Sequence, residues 1–86
     1  INREPKLREF AGNFDVIIFV SDSASSNGSM LYNICKEENY NTYFISRPDE
    51  LDPEWFRGAE SAGISGATST PGWILRDVAS RIEEIF

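Results

Sequence analysis

The five residues Val16 to Val20, VIIFV, are apolar and β-favouring without a break. A strand with one wet face alternates apolar and polar side chains, whereas an unbroken run reads as buried on both faces. Covering both faces needs elements above and below the strand, which points to a parallel sheet between layers of helices. The 86 residues suffice for one such domain with a modest core, and the 41% hydrophobic content fits a globular chain.

The rest of the chain alternates around this run. NREPKLREFAGNFD reads as a short helix carrying Leu7 and Phe10, closed by a left-handed cap near Gly12-Asn13. SNGSMLYNICKEEN reads as a helix with Met30, Leu31, Ile34 and Cys35 on its apolar side and Lys36, Glu37 and Glu38 at its exposed end. NTYFIS is a second strand. Asp52 is placed as an N-cap, Pro53 as the first helical residue and Gly58 as the stop of a short helix. SAGIS is a third, weaker strand. In the last helix Ile74, Val78, Ile82 and Ile85 or Phe86 form the buried stripe, with Ser69 or Thr70 as N-cap and Pro71 in the first turn. Met30 and Leu31 are expected in the core, and Trp55, Phe56 and Trp73 are expected to pack. The alternation implies right-handed crossovers. The expected fold is a single α/β domain over residues 1–86, a small three-layer sandwich whose parallel sheet has the order 2-1-3, with helices on both faces.

Several classes fall away. Eight basic against fourteen acidic residues give a net charge of −6, which argues against a basic patch for nucleic acid. No apolar stretch approaches the roughly 20 residues of a membrane span, and no secretory leader is visible. Cys35 is the single cysteine, which excludes an internal disulfide and a multi-cysteine metal site within this chain. With no histidine, imidazole-based triads and metal centres are excluded as well. A reducing, cytoplasmic compartment is expected. The chain starts at Ile1 and its only methionine is Met30, so a piece of a longer polypeptide is expected.

In open parallel sheets ligands bind beyond the carboxyl ends of the strands, where strand order reverses. The loops expected there are SDSASSNG, residues 21–28, and SGATSTPG, residues 65–72. Both are rich in hydroxyls and glycine, and both run into helix starts, whose N–H groups favour an anion. Ser25, Ser26 and Ser69 offer hydroxyls, Asn27 an amide, and Gly28 and Gly66 close backbone approach. Neither loop holds Lys or Arg. Singly, each loop reads first as ordinary helix capping; paired at one edge, they read about as well as a phosphate or diphosphate pocket. Asp49, Glu50, Asp52 and Glu54 read as acids around a helix start, and no residue pair offers a nucleophile with its base.

These stretches carry a resemblance. NREPKLREFAGNFDVIIFVS, SSNGSMLYNICKE and ELDPEWFRGAESAGISGATSTPGWIL together resemble the C-terminal part of the LytB family, the 4-hydroxy-3-methylbut-2-enyl diphosphate reductases. SSN after a buried strand is a short motif, but its pairing with TSTP some forty residues later, after LDPEW, is specific. The resemblance implies an enzyme of three similar α/β domains around an iron–sulfur cluster held by three cysteines. Such enzymes take electrons from an external donor and convert an allylic diphosphate to isopentenyl and dimethylallyl diphosphate in non-mevalonate isoprenoid biosynthesis. It further implies that Ser25, Ser26, Asn27 and Ser69 bind the substrate diphosphate.

The same resemblance limits the chain. Asn2-Arg3 resembles the segment just after the third cluster cysteine, so that ligand is expected before Ile1. The family's catalytic glutamate and histidines belong to the other domains, so the chain alone is expected to hold no cofactor, no metal ligand and no catalytic residue, and to be inactive. Its expected partners are the allylic diphosphate and the other domains. Gly28 stands where many members carry Ser or Thr, and Gly66-Ala67-Thr68 replaces a commoner Ala-Gly-Ala order. Two other readings stand beside this one. A stand-alone α/β interaction or phosphate-binding module would lack catalysis. A nucleotide- or sugar-phosphate-binding domain would need an acid at the end of strand two, where Ser46, Arg47 and Pro48 stand instead.

Overall fold

The computed structural model describes residues 4–22, 26–67 and 70–85. Its elements are α1 (Glu4–Gly12), β1 (Val16–Val20), α2 (Ser26–Glu38), β2 (Thr42–Ile45), two 3₁₀ turns (Pro48–Glu50 and Pro53–Phe56), β3 (Ala62–Gly66) and α3 (Gly72–Ile85). The strands form one parallel sheet in the order β2-β1-β3. Phe19 sits level with Phe44 on one side and with Ser65 on the other.

All five residues of β1 are buried, and their alternation divides the interior into two cores. Val16, Ile18 and Val20 pack with Ile45, Phe56, Val78 and Ile82, on the α3 side. Ile17 and Phe19 pack with Leu7, Ala11, Leu31 and Cys35, under α1 and α2. Each fully buried aliphatic or aromatic side chain stabilises the fold by about 1.5–3 kcal/mol. The unbroken apolar run therefore serves two interiors at once, and the expected three-layer arrangement is what forms.

The helix ends explain how the layers hold. Gly12 does not adopt the left-handed conformation expected of it; among the described residues only Gly58 has positive φ, at +79°. The end of α1 is closed instead by Asn39, whose side-chain amide donates to the carbonyls of Ala11 at 2.9 Å and Phe14 at 2.7 Å. These carbonyls lack intrahelical partners, and a side-chain donor satisfies them as a cap would. At the end of α2, Lys36 donates to the Tyr40 carbonyl at 2.7 Å. Asp52 accepts from the Glu54 N–H at 3.0 Å, so it caps the 3₁₀ turn that Pro53 begins and Gly58 follows. Glu50 accepts from the N–H groups of Ser46 at 3.1 Å and Arg47 at 2.9 Å. These acids hold local backbone.

Four packing expectations divide. Phe56 is buried, and Trp55 stacks on Tyr43 with ring centroids 4.4 Å apart and planes 4° from parallel. Met30 and Trp73, expected inside, are 55% and 61% exposed. The buried residues of α2 are Gly28, Leu31 and Cys35, spaced three and four apart; Met30 is one residue, about 100°, off that stripe. Trp73 is likewise displaced from the line of Val78 and Ile82 that α3 buries.

Candidate anion-binding site

Because the strands are parallel, their carboxyl ends open on one edge. Ser21 leaves β1 buried, with its N–H donating to the Ile45 carbonyl at 3.0 Å, and so carries the β1–β2 pairing one residue further. Its hydroxyl donates to the Asp22 carbonyl at 3.4 Å. On the other side the Val20 carbonyl accepts the Ala67 N–H at 3.3 Å and the Thr70 hydroxyl at 2.9 Å. Thr70 N–H donates back to the Ala67 carbonyl at 2.9 Å. Thr70 was an expected N-cap of α3; its hydroxyl instead fastens the loop before α3 to the end of β1.

Gly66 permits this closeness. A Cβ there would stand 2.6 Å from the Val20 carbonyl oxygen, a backbone atom that cannot rotate away. The absence of a side chain at 66 is thus a condition for β3 and the following loop to lie this close to β1.

The expected ligand residues divide between described and undescribed positions. Ser26 and Asn27 are the first two residues of α2, both exposed, and Gly28 behind them is buried. Ser25 and Ser69 lie outside the described residues. Neither α2 nor α3 has an acidic residue in its first turn, so nothing within the helix offsets the partial positive charge of the start. Between the end of β1 and the start of α3 runs a cleft of about 340 Å³ lined by Val20, Ser21, Asp22, Ser46, Thr70, Pro71 and Ile74. Asp22 and Ser46 were not among the expected site residues. Ser46 follows the end of β2, so the rule that selected the other two loops could have found it.

A larger concavity, about 660 Å³, lies at the opposite edge among Asp15, Asn41, Tyr43, Trp55, Gly58 and Glu60. The beginnings of β1 and β2 meet there, just after the C-terminal ends of α1 and α2, which repel anions. Its Asp15 carboxylate is committed to the Glu60 N–H at 2.8 Å. Size alone therefore does not make it the better anion site.

The chain does not fit an iron–sulfur cluster within its described residues. No group of three His, Cys, Asp or Glu side chains is placed to hold a metal among them. Cys35 is fully buried in the core under α1 and α2.

Fold and edge together define a parallel α/β domain of the kind that receives small ligands beyond its strand ends. A family model described as LytB protein matches residues 1–83, and the chain belongs to that family. It is 50% identical over 90 residues to the 4-hydroxy-3-methylbut-2-enyl diphosphate reductase of Chlorobaculum tepidum, covering 99% of this chain and 27% of the relative. With the reductase of Aquifex aeolicus it shares 47% over 83 residues, covering 96% of this chain and 29% of that one. The chain thus spans between a quarter and a third of these relatives' length. The solved structure of (E)-4-hydroxy-3-methyl-but-2-enyl diphosphate reductase, the terminal enzyme of the non-mevalonate pathway, matches with TM-score 0.91 and 46% identity, over 95% of this chain and 29% of that one. The Plasmodium falciparum E-1-hydroxy-2-methyl-but-2-enyl-4-diphosphate reductase structure matches at TM-score 0.83 and 22% identity, over 93% of this chain and 25% of that one, which bears on the fold alone.

Proposed function

We propose that this chain is the C-terminal, substrate-diphosphate-binding domain of a larger three-domain cytoplasmic reductase that converts 4-hydroxy-3-methylbut-2-enyl diphosphate to isopentenyl and dimethylallyl diphosphate. The observation that carries this reading is the carboxyl edge of the sheet, where Thr70 fastens the loop before α3 to Val20 at 2.9 Å, in a chain of the LytB family. That fastening holds Thr70, the neighbour of Ser69 in sequence, at the end of the strand that leads on to Ser26 and Asn27. Hydroxyl, amide and helix-start N–H donors neutralise a diphosphate by dipoles, without the loop lysines or arginines a cationic clamp would use.

In this reading the domain binds and orients, while the chemistry belongs to the rest of the polypeptide. The iron–sulfur cluster, the catalytic groups and the docking site for an external electron donor are assigned to that remainder, and the 86 residues alone are inactive. The test is made in the full-length polypeptide carrying this domain. Asn27→Ala and Ser69→Ala are each expected to raise the KM for the allylic diphosphate about tenfold, the effect of one hydrogen bond to a charged group. An unchanged KM in both variants overturns the reading.

A second reading, an interaction module without catalysis, draws on Met30 and Trp73, exposed at 55% and 61%. It predicts that pyrophosphate leaves both loops untouched.

A further inference from the structure

We infer that Asp22 is a charge-discriminating residue of the edge that receives the diphosphate, and that it weakens the binding of a ligand in proportion to the ligand's negative charge. This inference rests on the diphosphate reading above and adds a determinant of specificity to it. The cleft between the end of β1 and the start of α3 is lined by Val20, Ser21, Asp22, Ser46, Thr70, Pro71 and Ile74, and Asp22 is the charged residue of that set. The other residues of that lining are neutral: three with hydroxyls, and the apolar Val20, Pro71 and Ile74.

Position makes this charge consequential. Asp22 follows directly on Ser21, which is 1% exposed and bonded through its N–H to Ile45 and through its hydroxyl to the Asp22 carbonyl. The backbone of Asp22 is therefore held at the strand end. Across the cleft stands Thr70, next in sequence to Ser69 and tied to Val20. The start of α2, with Ser26 and Asn27, comes four residues after Asp22. An acidic residue thus belongs to the edge where the helix starts attract anions.

The two influences scale alike and oppose each other. Helix starts and N–H donors favour each added negative charge on the ligand, and an acidic side chain at the same edge disfavours it. The balance flattens the dependence of affinity on ligand charge. A diphosphate ester still binds through its directional hydrogen bonds, whereas polyphosphates and nucleoside triphosphates gain less from their extra charge than a purely attractive site would give them. Discrimination by an added repulsive element, in place of a stronger attraction, is an established route to specificity.

Calorimetric titration of the full-length polypeptide with phosphate, pyrophosphate and tripolyphosphate tests this. Asp22→Asn is expected to tighten pyrophosphate binding about two- to fivefold, tripolyphosphate more and phosphate least, the size expected of an exposed charge at short range in water. Asp22→Ser, a second neutral variant, should follow Asp22→Asn, and Asp22→Glu should keep the wild-type order. Near 0.5 M salt, where the Debye length falls to roughly 4–5 Å, the gain should shrink. An equal change for all three anions, no change, or weaker binding in both neutral variants overturns the inference. Asn27→Ala separates the two levels: if it weakens pyrophosphate binding while Asp22→Asn does nothing, only the role of Asp22 fails. If Asn27→Ala also leaves pyrophosphate binding intact, the diphosphate reading fails and takes this inference with it.

Discussion

Thr70 and Val20, fifty residues apart in sequence, are joined by a hydroxyl-to-carbonyl hydrogen bond of 2.9 Å. The same carbonyl accepts the Ala67 N–H at 3.3 Å, so the end of the central strand holds two points of the loop before α3. Replacing the hydroxyl with a methyl group in Thr70→Val removes one of them. The expected loss is about 1 kcal/mol, read from the urea midpoint of the 86-residue chain, and Thr70→Ser should retain most of it. Equal stability of the Val and Thr forms would show that the bond contributes nothing.

Gly66→Ala should be more damaging. The new methyl would lie 2.6 Å from the Val20 carbonyl oxygen, and only a shift of backbone relieves that contact. A destabilisation of about 1–3 kcal/mol is expected, together with weaker pyrophosphate binding, because the displaced segment leads to Ser69. Stability and affinity both at wild-type values would argue against close approach at this position.

Asn39 and Arg8 offer a contrast between two links around α1. The Asn39 amide serves two carbonyls, those of Ala11 and Phe14, and its own oxygen accepts the Asn41 N–H at 2.9 Å. Arg8 pairs with Glu37 at 3.0 Å and Glu38 at 2.9 Å, with those glutamates 65% and 41% exposed. Asn39→Ala should cost about 2 kcal/mol, Arg8→Ala less than about 1 kcal/mol and progressively less as salt is added. Chemical denaturation of the two variants at low and high salt decides the order.

Pyrophosphate titrated into the isotope-labelled 86-residue chain should move the amide signals of residues 26–28, Thr70 and Gly72, and leave those around Trp55 and Glu60, at the opposite edge, in place. Weak saturation is expected, since the proposed site is completed by other domains. Silence at the first set, or movement at the second, would favour the interaction-module reading or the larger cavity.

How much of this could be read in advance follows from what each feature depends on. The central strand was legible because burial on both faces leaves an unbroken apolar run, and the sheet order followed from the alternation of elements. The turn at Asp52-Pro53 was legible because capping is a local transaction between neighbours in sequence. Met30 and Trp73 misled because hydropathy records what a side chain prefers, while the width of the buried stripe depends on which neighbours arrive; Gly28, Leu31 and Cys35 suffice for α2. Asn39 was invisible, since its partners are 25 and 28 residues away and polar side chains leave no periodic trace. At the site, the loops were found from their composition and their place at strand ends. Ser46 and Asp22 escaped because one belongs to the strand without a hydroxyl-rich loop, and the other looks like any solvated acid.

The two-sided burial of β1 sets a rule for how this domain can vary in length. Inserting or deleting a single residue between Val16 and Val20 would turn every later side chain of the strand to the opposite face, presenting Phe19 to the layer that now receives Val20 and shifting the carbonyl that Thr70 and Ala67 share. Each interior would then receive side chains packed for the other, Phe19 entering the layer of Val78 and Ile82. Tolerated insertions and deletions should therefore gather in the connecting segments, leaving the strand at constant length.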